Sequence, residues 1–467
     1  MPNSESVDVT TKMLPRIVCI LSLTAFTGFA QAEIDCSKFK PTKIQDGEWS
    51  APDHTLRSER FDIYWGDKRS AEPWKDFPKD DPRYFDPREI MKTAEAFWTE
   101  AVEKAQVYSG ENYVPRDRIR IVIRGTWKTW RGNPTDDKHY AIGGGLTESI
   151  DGEERLIGGH IIVSPGRTAM NKYIVTHELT HVLQTYAAWD RHPPKNPGIN
   201  SWKTFGMSHE SHAAFIPIIC PIGESRGQRC AGPLLTKHLR PGLPRPYQNW
   251  TWMTFICEKE GAPFFCRVFE DHTADAVHPF EVLKRRKKLN AEQFADYWFE
   301  HALRNVIGDY KIDNVKKTLD GLKNNSRLTV AMQPVADKPD TYEVPAEFVP
   351  QRFGYNHILL DPVDRKDGKS HEITAKIAGG PCEDKSADWR HGFCVITADG
   401  TPRYTAPTAA GEKSKLELAA DDRQAYLVVM ATPGVLRVYE KNEPADEDVF
   451  RYPYTVTIDG AKPKSGG

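Results

Sequence analysis

Apolar positions along this chain change period twice, and the changes divide it. Alternation from Phe61 to Trp65 predicts a strand, Pro87 to Gln106 a helix opened by its proline, and Ile119 to Ile123 a second strand. Gly143 to Gly145 reads as a glycine-rich turn, and Ile157 to Ser164, rich in β-branched residues, as a strand able to edge a site. Val175, Leu179, Val182 and Tyr186 then recur at spacings of four, three and four, the apolar stripe of a helix. Residues 187 to 247 carry many Pro and Gly and read as loops around one short helix, whereas Trp250 to Glu260 and Ala291 to Asn305 are helical. From about Asn324 the pattern becomes short alternating segments, among them Asn356 to Leu360, Ala425 to Met430 and Tyr454 to Ile458, which fit an antiparallel β-sandwich. The expected class is α+β: a mixed sheet with a helical subdomain, then the sandwich. The closing Lys-Pro-Lys-Ser-Gly-Gly reads as a frayed tail.

Length and charge narrow this picture. A chain of 467 residues exceeds one ordinary core, so the expectation is a leader at 1–32, a first domain at 33–323 and the sandwich at 324–467. Lys12 and Arg16 precede an apolar stretch from Ile17 to Phe29 and the small-residue site Ala30-Gln31-Ala32, the pattern of an export signal, with Met13 as an alternative start. The stretch is short for a membrane span, so a secreted protein is expected, passing through the periplasm in transit. A formal net charge of -2 gives no broad reason to expect nucleic acid or membrane as a partner. The local run Lys284 to Lys288 reads as a solvated helix end.

Cysteine spacing adds an oxidation-state expectation. In an oxidising compartment, Cys220 with Cys230, Cys257 with Cys266, and Cys382 with Cys394 form three close pairs, with Cys36 left over. None has the CxxC spacing of a cysteine zinc site.

The chemistry lies in His177-Glu178-Leu179-Thr180-His181. Histidines four residues apart on a helix can point at one ion, and Glu178 projects beside it, where it can accept a proton from a water the ion polarises. The third ligand sets the subclass. A metzincin would need glycine and histidine where Gln184 and Ala187 stand, so that branch is excluded. In the gluzincin arrangement a Glu on a later helix completes the site, and Ser208-His209-Glu210-Ser211-His212-Ala213-Ala214-Phe215 offers Glu210, with His209 and His212 as rivals. The expected site is therefore Zn²⁺ on His177, His181 and Glu210 with Glu178 as general base. His209, His212, Tyr186 and Tyr247 are candidate donors to an oxyanion, unranked by sequence.

The segments HELTHVLQ, SWKTFGMSHESHAAF, RFGYNHILL and YPYTVTIDG resemble the Svx-like and Xca-avirulence group of secreted proteins from plant-associated bacteria. The resemblance implies a zincin-like, gluzincin-type catalytic domain followed by a β-sandwich, with the same three ligands and base. Glu210-Ser211-His212-Ala213 is more distantly similar to the Glu-x-x-Ala of collagenase-type gluzincins, with Ser211 where glycine is usual. The expected activity is a secreted endopeptidase acting on extracellular or host proteins, with a protein or peptide as its substrate partner. Two other classes remain: an exported binding protein whose β-domain recognises a glycan or protein, with Trp389, Tyr404 and Tyr452 as stacking candidates, and a zinc hydrolase of a non-peptide bond.

Overall fold

Phe61, Ile63 and Trp65 are fully buried, as a strand facing a core requires. They belong to a mixed six-stranded sheet in the computed structural model, which describes residues 41–42, 54–110, 114–127, 141–150, 153–166, 168–191, 208–220, 222, 251–275, 279–313, 315–316, 329–363, 369–434 and 450–464. The leader, Cys36, Cys230, Tyr247 and the boundary at 323 lie outside these residues. The strands are β1 (Pro41–Thr42), β2 (His54–Arg57), β3 (Phe61–Trp65), β4 (Ile119–Ile123), β5 (Ala141–Ile150) and β6 (Glu153–Val163), in the order β1-β2-β3-β4-β6-β5. β3, β4 and β6 run parallel, whereas β5 pairs antiparallel with β6 and forms the edge.

Helix α1 (Pro87–Trp98) starts where the Asp86 carboxylate accepts from the Arg88 N–H and Pro87 fills the first turn, then continues as a π-helical segment, Thr99–Lys104. Asn171 caps α2 (Lys172–Arg191) in the same way, accepting from the Tyr173 and Ile174 N–H groups. Val175, Leu179, Val182 and Tyr186 are at most 1% exposed, so the predicted apolar stripe is the face that packs across β5 and β6.

That packing overturns the glycine-rich turn. Gly143 to Gly145 lie inside β5, and Gly143 and Gly145 serve close approach to α2: a Cβ on Gly143 would stand 2.1 Å from the Glu178 carbonyl oxygen and one on Gly145 2.6 Å from Thr185 Cγ2, as one on Gly159 of β6 would stand 2.2 Å from Val182 Cγ1. Glycine lets the α2 backbone sit directly on the strands. Gly143→Ala is expected to destabilise the fold by about 1–3 kcal/mol, since helix or strand must shift. Denaturant unfolding checks this, and an unchanged midpoint would contradict the close approach.

Among the described residues five further helices follow: α3 (Ser208–Ile219), α4 (Thr251–Glu260), α5 (Ala262–Asp275), α6 (Pro279–Lys287) and α7 (Ala291–Arg304). α3 and α5 both pack on α2. The basic run ends α6 as expected, but Arg286 and Lys287 pair with Asp271 and Glu260 on the neighbouring helices. Asn290 and Gln293 close a capping box at the start of α7.

The C-terminal half is antiparallel, with β7 (Gln333–Pro334), β8 (Thr341–Glu343), β9 (Tyr355–Pro362), β10 (His371–Gly379), β11 (Trp389–Ile396), β12 (Pro402–Tyr404), β13 (Thr408–Ala409), β14 (Lys413–Leu418), β15 (Gln424–Ala431), β16 (Tyr454–Asp459) and β17 (Ala461–Pro463). One sheet runs β14-β10-β16-β8-β7, the other β12-β11-β15-β9-β17. Ile373, Leu416 and Val456 of the first share one core with Ile358, Phe393 and Leu427 of the second. The expected frayed tail is instead partly ordered, because β17 adds to the edge of β9 and the Lys464 N–H donates to Leu359 O.

Cys36 to Gly467 form one compact unit, and α7 packs against β11 and β15. The junction is polar, buried at Asn305, Tyr355 and His357 and partly exposed at Asp296, Asp309 and Tyr404. Asn305 donates to the Tyr355 hydroxyl, His357 Nε2 to Ala302 O, Tyr404 to Asp309, and Arg390 to Asp296. No described helix is long and apolar enough to cross a membrane.

The structure corrects two disulfide expectations. Cys257 and Cys266 are thiols on successive helices, and burial pushes Cys257 well above the ordinary thiol range. Cys394 is buried inside β11 opposite Tyr404 and Tyr426, while Cys382 Sγ donates to Arg451 O. Neither pair is bonded. Closeness in sequence does not by itself supply the geometry a disulfide requires.

Candidate metal centre

The i, i+4 spacing on α2 sets His177 and His181 one turn apart, with ring centroids 4.9 Å apart and planes at 87°. Glu210 comes from the first turn of α3, which α2 packs against. Its Oε2 is 3.2 Å from His177 Nε2 and 3.6 Å from His181 Nε2. Metal–ligand bonds of about 2.0–2.1 Å at tetrahedral angles separate ligand atoms by about 3.3 Å, so the carboxylate–imidazole spacings fit one ion. All three ligand atoms lie within 4.8 Å of one another, and His177, His181 and Glu210 are a group able to hold a metal ion. The set of two imidazoles and one carboxylate leaves a fourth position for water or substrate.

Burial raises the cost of charge at Glu210, but hydrogen bonds from His177 and His181 outweigh it and hold its carboxyl well below the usual range. Burial likewise disfavours a charged His181, yet the Glu210 hydrogen bond and the charges of Glu210 and Glu178 push its pKa up. Glu178 is 8% exposed, and burial raises its pKa against the pull of His177, His181 and a hydrogen bond from the Gly143 N–H. A carboxylate raised in this way is better matched to taking up a proton near neutral pH.

The rival ligands point elsewhere. His209 and His212 are 3% and 1% exposed and meet Gln184 rather than the cluster. Gln184 Oε1 is 2.8 Å from His181 Nδ1 and 2.9 Å from His209 Nδ1, and its Nε2 is 2.9 Å from His209 O and 3.0 Å from His212 Nδ1. Of the candidate oxyanion donors, Tyr186 is buried beneath Gly159, in the core face of α2. Sequence reasoning used Gln184 only to reject a subclass. The available signal was its position three residues beyond His181, on the same helical face.

An α+β chain with a His₂Glu group on two packed helices is the class this geometry defines. The chain belongs to DUF6055, a family of unknown function, which it matches over residues 29–465. No curated protein matches it. Among solved structures, it is similar to the Yersinia pseudotuberculosis-derived mitogen at 12% identity, over 25% of this chain and 85% of that one, with a TM-score of 0.17. It is also similar to the C-terminal family 22 carbohydrate-binding module of Clostridium thermocellum Xyn10B at 13% identity, over 30% and 82%, with a TM-score of 0.17.

Proposed function

We propose that this protein is a secreted zinc-dependent endopeptidase with a zincin-like N-terminal region, as the likeness to the Svx-like and Xca-avirulence group implies. One observation carries the reading: three ligand atoms within 4.8 Å of one another lie beside Glu178, a buried carboxylate outside that group. When bound, zinc would polarise a scissile carbonyl and lower the pKa of water. His177, His181 and Glu210 would hold it. Glu178 would accept a proton from the attacking water and pass it to the leaving amine, its carboxylate steadied by the Gly143 N–H. β5 is the edge strand and passes against Glu178, so an extended peptide laid along that edge would bring its backbone to the site.

Two of the three stacking candidates of the binding-protein alternative are core residues, whereas Tyr404 is half-buried and donates to Asp309. Trp389 and Tyr452 are buried at 7% and 0%, Trp389 donates to Tyr452 O, and Tyr452 donates to Asp384.

Metal analysis tests the ligand set. The purified wild type is expected to hold one zinc per chain, and Glu210→Ala to lose tight binding while staying folded. Retention of a tightly bound zinc by Glu210→Ala would overturn the assignment.

A further inference from the structure

We propose that Gln184 is a positioning residue: its side-chain amide fixes the His181 imidazole in the tautomer that offers Nε2 to the ligand cluster and ties α3, with Glu210, to α2. This inference rests on the metal reading above.

The hydrogen bonds leave the amide one orientation. A primary amide has an oxygen that only accepts and a nitrogen that only donates. The His209 backbone carbonyl also only accepts, so the group 2.9 Å from it must be the Gln184 NH₂. The other end is therefore oxygen, and both ring nitrogens that meet it, His181 Nδ1 at 2.8 Å and His209 Nδ1 at 2.9 Å, must carry protons. In neutral His181, a proton on Nδ1 leaves the lone pair on Nε2, the atom 3.6 Å from Glu210 Oε2. The remaining N–H of the amide points at His212 Nδ1, 3.0 Å away, which accepts. One side chain thus makes four hydrogen bonds while 3% exposed, and three of them reach residues of α3.

These contacts do more than fill space. His209 and His212 flank Glu210 in sequence, so anchoring both fixes the turn of α3 from which the third ligand projects. An outer partner that orients a ligating imidazole typically changes metal affinity by about 10- to 100-fold.

Two substitutions separate positioning from simple packing. Gln184→Leu removes all four bonds, whereas Gln184→Glu keeps an acceptor for His181 Nδ1 and loses both donors. Zinc affinity, measured by chelator competition, is expected to fall about 10- to 100-fold in Gln184→Leu and by a clearly smaller factor in Gln184→Glu, which still accepts from His181 Nδ1 and His209 Nδ1 but loses the two bonds its NH₂ makes to α3. Both variants are expected to lose metal-free thermal stability alike, since both leave His209 O without its donor. Wild-type affinity in Gln184→Leu, or equal weakening in both variants, would overturn the role while leaving the zinc site standing. Wild type that binds no zinc would remove both. Should Gln184→Leu fail to fold, ¹⁵N NMR of the zinc-loaded wild type decides: a protonated His181 Nδ1 is expected, and Nδ1 bound to zinc would overturn the proposal.

Discussion

Glu178→Gln is expected to lower peptide-bond hydrolysis by about 10²- to 10⁴-fold while leaving bound zinc unchanged. Glutamine keeps the shape and the hydrogen-bond acceptor but cannot take up a proton at neutral pH. The split between activity and metal content follows from geometry. Glu178 lies outside the cluster of His177, His181 and Glu210, so under the proposed mechanism its charge would serve proton transfer rather than ligation. The loss should fall on kcat, because the side chain acts as the water attacks and not when substrate docks. The measurement is digestion of denatured protein and of a peptide library by both forms, beside metal analysis. Undiminished cleavage by Glu178→Gln would sink the mechanism. Zinc in both forms with cleavage by neither would favour the binding-protein reading, or hydrolysis of a bond other than a peptide.

The parts of this site that were legible in sequence are those set by short-range geometry. His177, Glu178 and His181 follow from helical spacing, and the stripe Val175, Leu179, Val182 and Tyr186 makes that helix credible without tertiary information. Glu210 was legible as a residue type at a suitable distance, but its Oε2 meets the imidazoles only because α3 packs on α2. Gln184 was opaque for the same reason, since its four partners span two helices. Gly143 misled because glycine serves turns and close approaches equally, and only the neighbouring Glu178 backbone distinguishes them. The cysteines misled because a short spacing in sequence does not by itself supply the geometry a disulfide requires. The sandwich strands were legible within a few residues, since alternation is itself the register of a half-buried strand.

Acid is expected to unfold the protein from the junction between α7 and the sandwich, with stability lost as pH falls from about 6.5 towards 4. Two histidines there, His301 and His357, are buried and neutral, as is a third, His391, between the two sheets of the sandwich. Burial lowers His301 to about 3, helped by Arg304 and His357, lowers His357 to about 4, and lowers His391 to about 4. Their rings are held as neutral groups: His357 Nε2 donates to Ala302 O at 3.0 Å and His391 Nε2 to Ala375 O at 3.2 Å, while His301 lies against Asn305. Unfolded, each would titrate near its ordinary value of about 6.5. Below that pH the unfolded chain binds protons that the folded chain refuses, so stability rises with pH across this window and is fully present above it. Each histidine contributes a slope of up to about 1.4 kcal/mol per pH unit, and the three together on the order of 10 kcal/mol by pH 4, comparable to the whole stability of a typical domain. Denaturant midpoints at pH 7, 6, 5 and 4.5, taken with a chelator present so that metal release contributes nothing, measure the slope. His357→Gln, which keeps a donor for Ala302 O and cannot titrate, should flatten it by roughly a third. A midpoint constant from pH 7 to 4.5 would mean that these histidines are already solvated in the folded protein.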